Sequence, residues 1–376
     1  MKILFIGARL FDDVDFYLKE NQIESILTES NPDSPNLDLA DYSFIVPRGM
    51  GEPLKIAKNL VVDGIIPLIG IDDPLMDVAI AKEKSEKLGI PFITSNVHSI
   101  SISSDKIKTK EFFQENDIVT PKFKVLSLNN QNSDFDYPLV LKQRSGQGGR
   151  DITVAKNFEE VSDYLQEHEE VLCEEFIEGD EISIEVLGFN GKYIPIVPVY
   201  KGETTLEGIH PLNKVRSAPC EIDGLANEMI RKIAYKIAKS IKSEGIIDID
   251  FIFSKKNNKL YALEVNSRPS GTRYLTAAAS GIHPLTKLID MVTADFDVKL
   301  LENEIKDYFA LEIPIGNYSG PQNEEPMKKF RKNSWVVHGP SDYERITISG
   351  ESKEKVKELA KHLLGDSFFD FNLDEI

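Results

Sequence analysis

The sequence predicts a mixed fold, open α/β at the N-terminus and α+β beyond it, on three observations. Residues 1 to 98 alternate short β-branched or aromatic runs with helical stretches, the pattern of a small open sheet. Further on, two strand-like runs flank a glycine-rich loop and a later pair flanks a polar turn. The chain has 376 residues, 41% hydrophobic and 28% charged, enough for two or three cores.

The elements follow in order. KILFI, residues 2 to 6, is a compact apolar run ending in Gly7, as expected of a buried first strand. The GARLF that follows does not complete the spacing of a dinucleotide fingerprint. Strands are expected at YSFIVP from Tyr42 and at DGIIPLI from Asp63. Between Pro74 and Leu88 a helix is expected, then a turn and another strand at Gly89 to Pro91.

Asp105 stands at a cap position before DKIKTKEFFQEN, which places Lys106 in the first turn of a helix. YPLVLK ends at Lys142, SGQGG follows, and RDITVA forms the return strand. In EISIEVLG, Ile182, Ile184 and Val186 share one face and Glu181, Ser183 and Glu185 the other, which predicts a half-buried strand. Ile230, Ile233, Ile237 and Ile241 recur at helical spacing. Beyond residue 300, FALEIPI, WVV and RITIS read as strands and Ser352 to Leu364 as a helix stopped by Gly365.

Composition narrows the function. With 44 Lys and Arg against 62 Asp and Glu, the formal charge of −18 repels nucleic acid and anionic membranes, so neither is an expected partner. Two cysteines, Cys173 and Cys220, are too few for a disulfide framework. The N-terminus is interrupted too soon for a signal peptide and no apolar run approaches a membrane span, so a cytoplasmic protein is expected.

The sharpest constellation is a hairpin: IIDIDFIF, the turn SKKNNK, and LYALEVNSR. With the turn centred on Asn257, Asp250 faces Glu264, and alternation puts Asp248 and Asn266 on the same face. Two carboxylates opposed across a ladder require protonation, water or a cation, and oxygen-only ligands suit Mg²⁺. A solvated outer face is the competing explanation. The second constellation is KQRSGQGGR, in which glycines let backbone N–H groups approach phosphate and Lys142 adds a point charge. It lacks the Lys-Ser/Thr and helix of a Walker loop.

Lys106, Lys142, the glycine loop, VLCEEFIEGDE, GIHPLNK, Asp250 and the Glu264-Val265-Asn266 run occur in an order that resembles the ATP-grasp superfamily, in particular its carbamoyl-phosphate synthase large-subunit and carboxylate–amine ligase branch. The resemblance spans residues 1 to about 295. It implies a pre-ATP-grasp domain at 1–98, a small lobe at 99–178, a large lobe at 179–300 and a C-terminal α+β extension at 301–376 packed on the body. It implies phosphate binding by Lys106, Lys142 and the lid glycines Gly146, Gly148 and Gly149. Glu174, Glu175, Phe176 and Ile177 would meet adenine, Glu181 and His210 would lie near ribose, and Lys214 near the γ-phosphate. Asp250, Glu264 and Asn266 would hold Mg²⁺, two ions with Glu264 as bridge, Mn²⁺ being an alternative, and Arg268 would meet the phosphorylated intermediate. Relatives often carry Glu or Gln where Asp250 stands, which puts the second metal in question.

The activity so implied is ATP-dependent, ADP-forming ligation of a carboxylate and an amine through an acyl phosphate, on amino-acid or peptide substrates; RPSGTRYLTAAASGIHPL resembles the pyrrolysine-biosynthesis ligase type. Alternatives are bicarbonate activation, as in a carboxylase or carbamoyl-phosphate synthase, and a non-catalytic ATP-binding regulator. A homodimer is compatible with the resemblance.

Overall fold

The computed structural model describes residues 1–146, 152–206, 214–320, 329–340, 342–365, 368 and 371. The first sheet is parallel, with β1 (Lys2–Ile6), β2 (Glu24–Glu29), β3 (Tyr42–Ile45) and β4 (Gly64–Pro67) in the order β3-β2-β1-β4. Central β1 is apolar on both sides because both sides are covered: Ile3 and Phe5 enter one core, Leu4 and Ile6 another. The strand expected at 89–91 is reduced to a single parallel bridge between Ile65 and Phe92, since the chain turns away after Ile93.

The second sheet is antiparallel: β5 (Phe123–Ser127), β6 (Leu139–Gln143), β7 (Thr153–Ala155) and β8 (Glu170–Glu175), ordered β5-β8-β6-β7. The glycine loop leaves β6 and returns through β7, its paired partner.

The third sheet has eight strands. They are β9 (Gly179–Phe189), β10 (Lys192–Thr204), β11 (Arg216–Ala218), β12 (Gly245–Ser254), β13 (Lys259–Asn266), β14 (Phe309–Gly316), β15 (Trp335–His338) and β16 (Glu344–Gly350). Their order is β13-β12-β9-β10-β11-β14-β16-β15, so the last three strands of the chain extend the sheet that carries the acidic hairpin. Helix Asn227–Ile241 lays Ile230, Ile237 and Ile241 on the apolar face of β9 and β12, against Ile184, Val186, Ile247 and Ile249. That leaves the opposite face of these strands for polar side chains.

The polar face is not solvated. Ser183 and Glu185 are fully buried, so β9 is covered on both sides rather than half-buried as its alternation suggests. The reason is tertiary: Glu185 lies beneath Arg273 and Thr276 of helix Arg273–Ser280. Among the described residues no helix is long and apolar enough to cross a membrane. Both cysteines are free and buried.

Candidate active site

The hairpin pairs Asp248 with Asn266, Ile249 with Val265 and Asp250 with Glu264, as alternation predicts. It does so by a different route. The turn is closed by Ser254 and Lys259, half a residue earlier than a centre at Asn257, and that register would place Leu263 opposite Asp250. A β-bulge at Leu263 absorbs one residue and brings Glu264 round to face Asp250. A second bulge sits across the sheet: Tyr200 pairs with Ile182 and Gly202 with Glu181, leaving Lys201 as the extra residue of β10. Lys201 Nζ donates to Asp250 Oδ1 at 2.6 Å.

Asn266 Nδ2 donates to Asp250 Oδ2 and to Glu264 Oε1, both at 3.4 Å, so the two carboxylates reach one common point. The amide N–H group stands there in place of a cation. Asp250 is 9% exposed, which removes the solvated-face explanation for this end of the hairpin. Two carboxylate oxygens converging on one point fit a Mg²⁺ site completed by phosphate and water. Among the described residues no group of three or more His, Cys, Asp or Glu side chains gathers as a metal site.

Electrostatics divides these acids. Burial would raise the Glu264 carboxyl, but Lys106, Lys142, Lys201 and the Asn266 amide outweigh it and hold it well below the ordinary carboxylate range. Burial, together with the facing Glu264 charge, holds Asp250 above that range against the pull of Lys201.

Two of the cations, Lys106 and Lys142, come from the elements beside the glycine loop. Asp105 caps helix Lys106–Glu115 by accepting from Ile107 and Lys108 N–H, which fixes the start of the helix beside the glycine loop. Lys106 Nζ then donates to Gly146 O at 2.6 Å; Gly146 has φ +121°, a conformation glycine tolerates. Lys142 pairs with Glu174, and so does Lys110, one helical turn beyond Lys106. Burial pushes the Lys110 ammonium down to about 8, while Lys110 and Lys142 outweigh burial to hold Glu174 low. Glu174, itself buried, thus anchors two lysines.

Elsewhere on the site, Glu181 accepts from Thr204 and from Lys214 Nζ, the latter at 3.4 Å. Gly202, at φ +100°, leaves room for the Lys214 stem, which a Cβ would meet at 2.9 Å. Glu175 accepts from Lys122 N–H at 3.0 Å, and Phe176 and Ile177 are half-buried. Arg268 donates through Nε to Asp72 Oδ1 at 2.5 Å and through Nη2 to Asn266 Oδ1 at 3.4 Å, joining the N-terminal domain to the acidic face. Gly148, Gly149 and His210 lie outside the described residues.

Three contributors escaped sequence reasoning. Lys110 had a signal, its i,i+4 spacing from Lys106 on one helix face. Lys201 had none, because a bulge places it. Glu185 had half of one: alternation gave its face, but only the pairing of β9 with β12 sets it opposite Asp248. Burial pushes the Glu185 carboxyl up to about 7, and burial with the Asp250 charge raises Asp248 well above its ordinary range.

With this geometry in place, comparison with known proteins is decisive. The ATP-grasp domain profile matches residues 103–272, from helix Lys106–Glu115 through the hairpin. A protein of Methanobrevibacter smithii named carbamoyl-phosphate synthase is 53% identical over 367 residues, covering 97% of this chain and all of that protein. The chain belongs to the ATP-grasp family.

It is also 27% identical to a D-alanine–D-alanine ligase of Bacillus anthracis over 292 residues, covering 73% of this chain and 92% of that protein. Against carbamoyl phosphate synthase large chains, such as that of Campylobacter jejuni, it spans about a third of their length (31%). The biotin carboxylase domain dimer of Hydrogenobacter thermophilus 2-oxoglutarate carboxylase, in complex with MgADP, ADP and bicarbonate, shares the fold: TM-score 0.76 at 18% identity, over 97% of this chain and 89% of that one. This ATP-grasp protein is an enzyme of the ADP-forming ligase and carboxylase class.

Proposed function

We propose that the enzyme is a carboxylate–amine ligase that uses ATP to activate an amino-acid or peptide carboxylate as an acyl phosphate. The observation that carries the proposal is the convergence of Asp250 and Glu264 on one point beside Lys106, Lys142 and Lys201. Cations around a carboxylate-held metal point suit the charge that moves in phosphoryl transfer.

In the first step a carboxylate oxygen of the substrate attacks the γ-phosphorus, the β–γ bridging bond breaks and ADP leaves. Lys106 and Lys142 hold phosphate oxygens, and Glu174 fixes Lys142 from below. Asp250, Glu264 and Asn266 are the residues that would hold Mg²⁺, which would supply neutralisation of phosphate charge. In the second step the amine attacks the acyl carbon, the C–O bond to phosphate breaks, and the amine proton passes to the departing phosphate or to water. Arg268, placed at the end of the acidic run by Asp72, meets the acyl phosphate.

Bicarbonate activation is the second reading, favoured by the name of the 53% identical relative. The deciding experiment crosses amino-acid carboxylates with amino-acid amines, reads ADP release, and traps the acyl phosphate with hydroxylamine. ADP release requiring both partners, with a hydroxamate of the first, is expected. Release driven by bicarbonate alone would replace ligation with the second reading.

A further inference from the structure

The metal point does not account for the whole polar face. Along β9 that face carries Glu181, Ser183 and Glu185, each roughly 7 Å from the last. Glu181 lies on the lysine side with Lys214, and Ser183 stands opposite Asp250. Glu185 stands opposite Asp248, past the metal point and away from the glycine loop.

Two carboxylates directly opposite each other in a fully hydrogen-bonded ladder repel unless something lies between them. Asp248 is 5% exposed and Glu185 0%, and Asp248 Oδ1, Glu185 Oε1 and Glu185 Oε2 are buried without a hydrogen-bond partner. Thr276, Arg273 and the Ser270 backbone lie near Glu185, but neither Glu185 oxygen is in hydrogen-bonding geometry with any of them, and Arg273 is directed to Asp13 Oδ2 at 2.5 Å. Leaving such oxygens unpaired costs free energy that a bound donor would recover.

We infer that Asp248 and Glu185 form a subsite for the ammonium group of an amino-acid substrate. An ammonium carries three N–H donors, matching the three orphaned oxygens. The adjacent Arg268 suits the anionic end of the same molecule, so the two charges of a zwitterion find opposite partners along one face. Bicarbonate has no cationic group and would lie against two unpaired carboxylates. This inference rests on the ligase reading and narrows it to a substrate with a free amino group.

The test uses the full chain with Mg-ATP and each protein amino acid in both enantiomers, every one beside its N-acetyl and α-hydroxy counterparts. ADP release and thermal shift are read for the wild type, Glu185→Gln and Asp248→Asn. Expected are stimulation by at least one amino acid, loss of about 30-fold or more in kcat/KM for its N-acetyl and hydroxy forms, and a comparable loss in both variants. Both variants are expected to melt no lower than wild type, because each removes a buried unpaired charge, and to bind an ATP analogue within about threefold of wild-type affinity.

Equal use of an amino acid and its hydroxy counterpart overturns the subsite while leaving ligation standing. Turnover with bicarbonate alone overturns both. A change in Mg²⁺ requirement without a change in amino-acid KM means the pair holds a metal instead, and also overturns it. So does a panel in which no amino acid shifts the melting temperature or releases ADP.

Discussion

Two acidic pairs share one face of the large sheet, and of the four acids Glu264 is held below its ordinary range while Asp250, Asp248 and Glu185 are raised. At the hairpin, Asp250 and Glu264 sit among Lys106, Lys142 and Lys201, and Glu264 stays charged despite full burial. One residue pair further along β12, Asp248 and Glu185 are as deeply buried, and the cations that act on them, Lys201 and Arg268 on Asp248 and Arg273 on Glu185, are engaged by Asp250, Asp72 and Asp13. Burial is common to both pairs; it is Glu264 that Lys106, Lys142 and Lys201 together hold low. On this face burial raises an acid, and several converging cations are needed to keep one charged.

The largest test of the contrast is Glu264→Gln. It keeps the shape of the side chain and one acceptor oxygen but removes the carboxylate charge that Asn266 and three lysines surround. ADP formation should fall about a thousandfold or more, with the circular dichroism spectrum unchanged. Turnover at the wild-type rate by a folded variant would separate the hairpin from the chemistry.

Next in size is the response of the far pair to pH. Glu185 titrates near 4.5 when unfolded and at about 7 when folded. Between these values the folded chain binds more protons than the unfolded one, so stability falls as pH rises through that window. The cost is complete above pH 7 and on the order of 3 kcal/mol, and absent below pH 4. Glu185→Gln has no such titration. Its urea midpoint should match wild type near pH 4 and exceed it by the equivalent of that energy near pH 8. Parallel pH curves for the two proteins would show that Glu185 is paired in the folded state.

What could be read in the sequence follows the range of the interactions. Asp250 opposite Glu264 is local, joined by a short turn, and alternation finds it even with the turn centre misplaced, because the Leu263 bulge restores the register. Lys106 and Asp105 are likewise local, a cap and the first turn of a helix. The pairing of Asp248 with Glu185 joins residues 63 apart through an antiparallel contact that no periodicity announces. Lys201 acts through a bulge, and Glu174 turns inward because two lysines from separate elements close on it. The fold's layers were legible from strand and helix alternation, but the buried condition of the polar face was not, because helix Arg273–Ser280 covers it from a distance in sequence.

The smallest of these effects belongs to the cations themselves. Lys142 neutralises Glu174, which Lys110 alone would hold in its absence. Lys142→Ala should weaken binding of a non-hydrolysable ATP analogue by roughly 10- to 100-fold, measured by calorimetry. Lys122→Ala provides the contrast, since Lys122 is exposed and only 3.7 Å from Glu175 in a solvent-screened pair. Its affinity should stay within about twofold of wild type. If both substitutions weakened ATP equally, net charge near the cleft would explain binding, and the lysine that Glu174 anchors would have no special part in it. If only Lys142→Ala does, the placement of one ammonium by a buried glutamate is what separates the nucleotide end of this face from the end that lacks such a cation.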